Sequence, residues 1–308
     1  MADAEQTRCA VVAILGAPNA GKSTLVNRLV GAHVAAVTQK VQTTRATLRG
    51  IAMREATQLI LIDTPGIFAP RRRLDRAMVA AAWNAIDGAD EIVHLVDATA
   101  FIDPKQGRTR EDADAIAQKL KEQEQVAMLV INKADAVPRE TLLTTTAALV
   151  ERGAYSEVFM ISALTGDGVG DLENKLYADA PEGPFLFPED QIADAPMRVL
   201  AAEITREKAM LRLHDELPYD LVVETEAWEQ RKDGSVKIDQ TLFVARESQR
   251  KIVIGAKGAG VKTIGEAARK DLETELGRRV HLFLHVKVRE NWAEDRAIYR
   301  NLGLDWDA

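Results

Sequence analysis

A single cysteine, Cys9, stands in 308 residues. That excludes a disulfide within the chain and suits a reducing compartment. No apolar run approaches the ~18–20 residues that a membrane-crossing helix needs. The N-terminal Met1-Ala2-Asp3-Ala4-Glu5-Gln6 is acidic and polar, so no secretory signal is expected there. Low-complexity tracts are missing, and with them any wholly disordered reading. Positive charge is not in excess either: 40 Lys+Arg against 47 Asp+Glu give a net charge of −7. Such a balance excludes a chain that is basic throughout. It does not exclude a local basic surface. Residues 197–308 carry 20 basic and 20 acidic side chains, and within them 246–289 carry 11 and 5. A segment of this kind is either an electrostatic footprint for an anionic partner or an ordinary solvated face.

What is present fits a globular protein of about two domains. Apolar runs at Ala10–Leu15, Leu59–Ile62, Glu91–Val96, Ala127–Ile131 and Glu157–Ile161 read as strands buried on both faces. Helical spacing fills Thr24–Val30, Asp75–Ile86, Glu111–Glu122 and Glu140–Arg152 between them. This alternation predicts a mostly parallel sheet with helices on both faces. Three prolines and a glycine in 180–188 then break the pattern. The expected division is a domain over 1–179, a linker over 180–196 and a smaller α+β domain over 197–308. The second domain should hold a helix over Met197–Leu213 and strands at Leu221–Ala227 and Val236–Ala245. An apolar run at Ile252-Val253-Ile254, a helix over Val261–Leu276 and a strand Val280–Val288 follow, with a C-terminal tail.

Gly16-Ala17-Pro18-Asn19-Ala20-Gly21-Lys22-Ser23-Thr24 contains the pattern G-x-x-x-x-G-K-[ST] between an apolar strand and a helix. Glycines there let backbone N–H groups converge on phosphate oxygens, and the helix N-terminus adds positive partial charge. Lys22 is placed to reach the β- and γ-phosphates and Ser23 to ligate Mg²⁺. Asp63-Thr64-Pro65-Gly66 follows a strand 41 residues after Lys22. Its carboxylate suits Mg²⁺ held through water, and the Gly66 N–H suits a γ-phosphate. In Asn132-Lys133-Ala134-Asp135, Asp135 can accept from the N1 and N2 donors of guanine, which adenine lacks. Lys133 is expected along the base, and Asn132 between this loop and the phosphate loop. Ser162-Ala163-Leu164 offers the Ala163 N–H to guanine O6. Together these segments predict GTP or GDP as ligand.

The constellation resembles the translation-factor-related GTPases, and Gln42-Thr43-Thr44-Arg45 resembles switch I of the Era GTPases within them. The resemblance implies a threonine in the Mg²⁺ shell, taken as Thr44 over Thr43. It also implies slow hydrolysis, with Lys22, Thr44, Asp63, Gly66 and Asn19 as the catalytic set. Ile67 stands where Ras-like enzymes place a water-orienting glutamine. The resemblance therefore implies K⁺ held against the phosphates by Asn19, whose alternative role is turn geometry. Arg71-Arg72-Arg73 reads either as a solvated loop or as an RNA or ribosome contact.

In the second domain, Gly255-Ala256-Lys257-Gly258 resembles the G-x-x-G loop of a KH domain, with Lys257 and Lys262 as phosphate partners. The expected order α-β-β-α-β suits the type II topology. Val280, Leu282, Leu284, Val286 and Val288 should face inward, with His281, Phe283, His285, Lys287 and Arg289 outward. Thr205-Arg206-Glu207-Lys208, Glu216-Leu217-Pro218-Tyr219, Val253–Gly260, Lys262-Thr263-Ile264-Gly265 and Val286-Lys287-Val288-Arg289 extend the resemblance to the Era family over nearly the whole chain. Gly260 and Val261 depart from it, standing where the family favours Lys and Ile.

A monomer in the cytoplasm is the default expectation, and the resemblance implies that it binds the 3′ end of 16S ribosomal RNA through the KH domain. It further implies a role in assembly of the 30S ribosomal subunit from its precursor, and a peripheral association with the inner membrane. Two competing readings are an RNA-binding assembly protein whose nucleotide domain is only structural, and an RNA-modifying enzyme. Intact Lys22, Ser23, Asp63 and Asp135 oppose the first. The second lacks a catalytic cysteine, because Cys9 is expected at a buried strand start.

Overall fold

Strands β1 (Arg8–Leu15), β2 (Leu48–Arg54) and β3 (Thr57–Asp63) begin the chain's first sheet in the computed structural model, with helix α1 (Lys22–Val30) between β1 and β2. Residues 6–37, 44, 45, 47–189, 191, 197–213 and 221–308 are described. The sheet continues through β4 (Glu91–Asp97), β5 (Ala127–Asn132) and β6 (Tyr155–Met160), and α2 (Arg73–Asn84), α3 (Gly107–Glu122), α4 (Arg139–Arg152) and α5 (Val169–Asp179) complete the layers. Its strand order is β2-β3-β1-β4-β5-β6. Every pairing is parallel except β2 with β3. Val, Ile and Leu fill β1, β3, β4 and β5 because helices cover both faces.

Two elements escape the sequence pattern. Strand β2 is an antiparallel edge, and Arg49, Gly50 and Arg54 interrupt its apolar run. Helix α5 buries Val169, Leu172, Leu176 and Tyr177 at helical spacing, but its short polar-flanked span reads as a domain end.

Helix α6 (Met197–Arg212) is followed by β7 (Leu221–Gln230) and β8 (Val236–Val244), then α7 (Glu247–Ile254), α8 (Ala259–Leu276), β9 (Val280–Val288) and α9 (Arg296–Asn301). The three strands form a second sheet, β7-β8-β9, with β9 parallel to β8. The order before α9 is therefore α-β-β-α-α-β, which corrects the expected α-β-β-α-β. Ile252-Val253-Ile254 ends helix α7, and an apolar run that short cannot be told from a strand by periodicity. Gln249 caps its start, its side-chain carbonyl accepting from the Ala245 and Arg246 N–H groups at 2.9 and 3.0 Å. The inward residues of β9 pack on the core as read, Leu284, Val286 and Val288 against Leu242 and Val253 among others. Ion pairs dress its outer face, Lys287 with Glu226 at 3.2 Å and Arg289 with Glu224 at 3.1 Å.

Thr205-Arg206-Glu207-Lys208 is structural. Thr205 donates to Gln240 at 2.6 Å, and buried Arg206 meets Glu203 through two bonds of 3.0 and 2.5 Å. Glu216-Leu217-Pro218-Tyr219 lies outside the described residues.

The chain divides into two compact units, one drawn from 1–34, 44–194 and 302–308 and the other from 35–43 and 195–301. Three expected boundaries change, the first because Ala35, Ala36 and Val37 group with the second unit, where the Val37 N–H donates to Glu207 at 3.0 Å. The start of the 180–196 linker is folded onto the first unit: the Cys9 N–H donates to Pro181, and Leu186 and Phe187 both donate to the buried Gln58 carbonyl. The tail 302–308 also belongs to that unit, where Leu304 is buried and the Trp306 ring lies 4.4 Å from the Arg73 guanidinium. Arg73 is thus engaged within the first unit, whereas Arg71 and Arg72 are exposed. Among the described residues no helix is long and apolar enough to cross a membrane.

His94, wholly buried on β4, shares a 2.7 Å hydrogen bond with the Tyr155 hydroxyl. Burial first, and the Lys22 charge second, push its pKa down to about 3. The folded chain then binds fewer protons than the unfolded chain between that value and 6.5, so stability falls as pH drops through this window. The slope is at most about 1.4 kcal/mol per pH unit. Replacing His94 by Gln should flatten the pH dependence of denaturant midpoints between pH 6.5 and 4, and an unchanged slope would refute this assignment.

Candidate functional site

Parallel pairing brings the C-terminal ends of β1, β3, β4, β5 and β6 to one edge, and β1 lies where the strand order reverses. Ligands of open α/β sheets bind at such a crevice. Residues 16–23 leave β1 there and turn directly into α1.

Lys22 is buried, and its ammonium donates to the Gly16 and Ala17 carbonyls at 3.0 Å each. Burial pushes its pKa down to about 8, partly opposed by the Asp63 charge. Gly21 has φ of 101°, and a Cβ there would lie 2.2 Å from the Asn132 amide nitrogen. Only glycine fits. Asn19 also adopts a left-handed conformation, with φ of 64°, so the turn role is met.

Three oxygens converge beside this loop. The Ser23 hydroxyl lies 2.9 Å from that of Thr44 and donates to Asp63 Oδ2 at 2.7 Å, while Thr44 donates to the same carboxylate oxygen at 3.3 Å. Adjacent ligands of an octahedral Mg²⁺ at 2.0–2.1 Å lie about 2.9 Å apart, so the Ser23–Thr44 spacing and the all-oxygen set fit this ion. Thr43 and Gln42 lie outside the described residues.

Behind Asp63, the Thr64 hydroxyl donates to Ile14 O at 2.7 Å, and Pro65 is buried. A Cβ on Gly66 would come within 2.8 Å of the Pro18 backbone, which is how closely the two loops meet. Ile67 donates its N–H to Gly16 O at 3.1 Å and buries its side chain among Leu15, Ala82 and Ile92. It pins the segment and offers nothing to a water.

Asn132 bridges two loops. Its amide donates to Ala20 O at 2.7 Å, and its carbonyl accepts from Ala163 N at 2.9 Å. The link to the phosphate loop is the one expected. The Ala163 N–H, expected to face guanine O6, lies at the same edge and donates to Asn132. Lys133 has φ of 61° and opens a short 3₁₀ turn, Ala134–Ala136, which leaves Asp135 exposed at the same edge. Ser162 closes its own loop by accepting from Thr165 and Gly166, and Leu164 is 75% exposed. Arg28 of α1, which no motif marks, supports this loop by donating to Ala163 O at 2.6 Å.

In the second unit Gly255-Ala256-Lys257-Gly258 joins α7 to α8, with φ of 71°, 51° and 82° at Gly255, Lys257 and Gly258. Lys257 and Lys262 are exposed, and only a distant pairing at 3.9 Å links Lys262 to Glu266. The loop thus presents cations and the start of an 18-residue helix.

A doubly covered, mostly parallel sheet with this phosphate loop, an oxygen triad and an asparagine bridging two loops at its edge defines a P-loop GTP-binding protein, here joined to a KH-type unit. A family model described as 50S ribosome-binding GTPase matches residues 11–133, and one described as KH domain matches 216–293. GTPase Era of Caulobacter vibrioides is 56% identical over 309 residues, covering 98% of this chain and 98% of the relative. GTPase Era of Maricaulis maris is 53% identical over 307 residues, covering 97% and 98%. Among solved structures, Era in complex with MgGDPNP and nucleotides 1506–1542 of 16S ribosomal RNA aligns with a TM-score of 0.86 at 35% identity, covering 96% of this chain and 99% of that one. A variant of Aquifex aeolicus Era bound to GDP and AlF₄⁻ aligns equally well. The chain belongs to the Era family of GTPases.

Proposed function

We propose that this protein hydrolyses GTP slowly at the β1 loop and binds the 3′ end of 16S ribosomal RNA at the Gly255–Gly258 loop, assisting assembly of the 30S subunit in the cytoplasm. The observation that carries the nucleotide half is the convergence of Ser23, Thr44 and Asp63 oxygens within 3.3 Å beside buried Lys22. Residues 16–24 would hold the phosphates, and Asn132, Lys133, Ala134, Asp135 and the 162–164 loop the guanine. Ser23 and Thr44 would ligate Mg²⁺, and Asp63 would orient Ser23 and a metal-bound water. The ion, when bound, spreads the charge of the phosphates. None of the placed side chains is a general base, so water attacks without one. Asn19 is the residue assigned to a K⁺, tested by comparing turnover in K⁺ and Na⁺. The RNA half rests on the exposed Lys257 and Lys262 and on the relative that holds nucleotides 1506–1542.

The test is affinity for a labelled RNA matching that 3′ terminus, with GDP and with a non-hydrolysable GTP analogue, at fixed K⁺ and Mg²⁺. Tighter binding in the GTP form is expected. Equal affinity would favour the uncoupled reading, and no binding would leave the basic segment a solvated face. Lys257→Ala should weaken RNA binding and reduce the salt slope of log K by about 0.7. RNA-free GTP hydrolysis should be unchanged; its loss would refute the division of labour between the units.

A further inference from the structure

We propose that Asp97, at the end of β4, is a positioning residue of the guanine pocket and acts through Lys133. The inference deepens the nucleotide reading and rests on it. Asp97 lies beside Asn132 in the β4–β5 register and is 3% exposed. Its Oδ1 accepts from the Thr99 N–H at 2.9 Å and the Thr99 hydroxyl at 2.6 Å, which fixes the carboxyl plane. Its Oδ2 then meets the Lys133 ammonium at 2.5 Å. A carboxylate this buried is tolerated only when paired, and Lys133 is the cation that pairs it. Lys133 itself sits at φ of 61° between Asn132 and Asp135, and its side chain is 37% exposed. The ammonium is thus anchored at the far end of a side chain that stays partly exposed at the edge where a base would lie.

A free lysine stem samples many rotamers, and holding it in one costs binding free energy. Fixing it before the nucleotide arrives removes most of that cost from binding. Asp97 belongs to none of the nucleotide motifs, and its partner is 36 positions away.

The test is a double-mutant cycle on the full chain, reading GDP affinity calorimetrically and the melting midpoint of each variant. Asp97→Asn is nearly isosteric and should weaken GDP about tenfold. Lys133→Met should weaken it at least as much, and the double variant should bind no worse than Lys133→Met alone. Losses that multiply in the double variant, or an Asp97→Asn affinity within twofold of wild type, overturn the proposal. Should Asp97→Asn fail to fold, Lys133→Arg decides: it keeps a cation within reach of Asp97 and must bind GDP more tightly than Lys133→Met. If Lys133→Met itself binds GDP like wild type, the guanine reading of the pocket is what fails.

Discussion

Lys22→Ala is expected to abolish GTP and GDP binding, with a loss of about a thousandfold or more and little change in fold. The ammonium is buried and already aimed at the loop, bonded to the Gly16 and Ala17 carbonyls. A polyphosphate replaces those neutral acceptors with charged ones, and charge-assisted bonds contribute about 1.5–3 kcal/mol each. Two such bonds account for the loss, since every 1.4 kcal/mol is tenfold. The same residue gives the site a pH signature. With a pKa of about 8 in the protein alone, Lys22 loses its proton above that pH, whereas bound phosphate holds it protonated. Nucleotide binding therefore takes up a proton, and affinity falls as pH rises, by about tenfold from pH 7 to 9. Calorimetry of GDP at both pH values checks this. An affinity independent of pH in the wild type would remove Lys22 from the phosphate site.

Asn132→Ala should damage fold and affinity together. Both ends of its buried amide serve backbone groups, the carbonyl of Ala20 in the phosphate loop and the N–H of Ala163 in the last loop. Truncation strands both, at about 1–3 kcal/mol for each buried group left unsatisfied. A stability loss of about 2–6 kcal/mol is expected, together with about a hundredfold weaker GDP binding as the two loops separate. Denaturant melts and calorimetry on the same samples would show both. Weakened affinity at full stability would mean that Asn132 serves the ligand alone and does not hold the loops together.

Much of the site is legible along the chain because its signals are local. A glycine pattern between a buried strand and a helix, or an acidic tetrapeptide after an apolar run, is visible within a dozen residues. The glycine loop of the second unit is similarly local, although the helix before it is not: α7 has one buried residue, Val253, and its apolar end imitates a strand. Edge strand β2 hides for a related reason, since its apolar alternation is cut by arginines that solvent accepts. The linker and the tail look polar or proline-rich by composition. Gln58 and Arg73, far away in sequence, fold them onto the first unit.

Residue order and strand periodicity alone thus establish a doubly covered sheet, the phosphate loop at its end and a nucleotide with guanine as base, because backbone chemistry and side-chain alternation act over a few residues. Pairing across the fold is another matter. That Thr44 reaches Ser23, that Asn132 engages the Ala163 N–H, and that Asp97 pairs with Lys133 are contacts between residues 21 to 36 positions apart. Such contacts depend on strand order and register. Both are set by burial of whole layers at once, and no single segment records them.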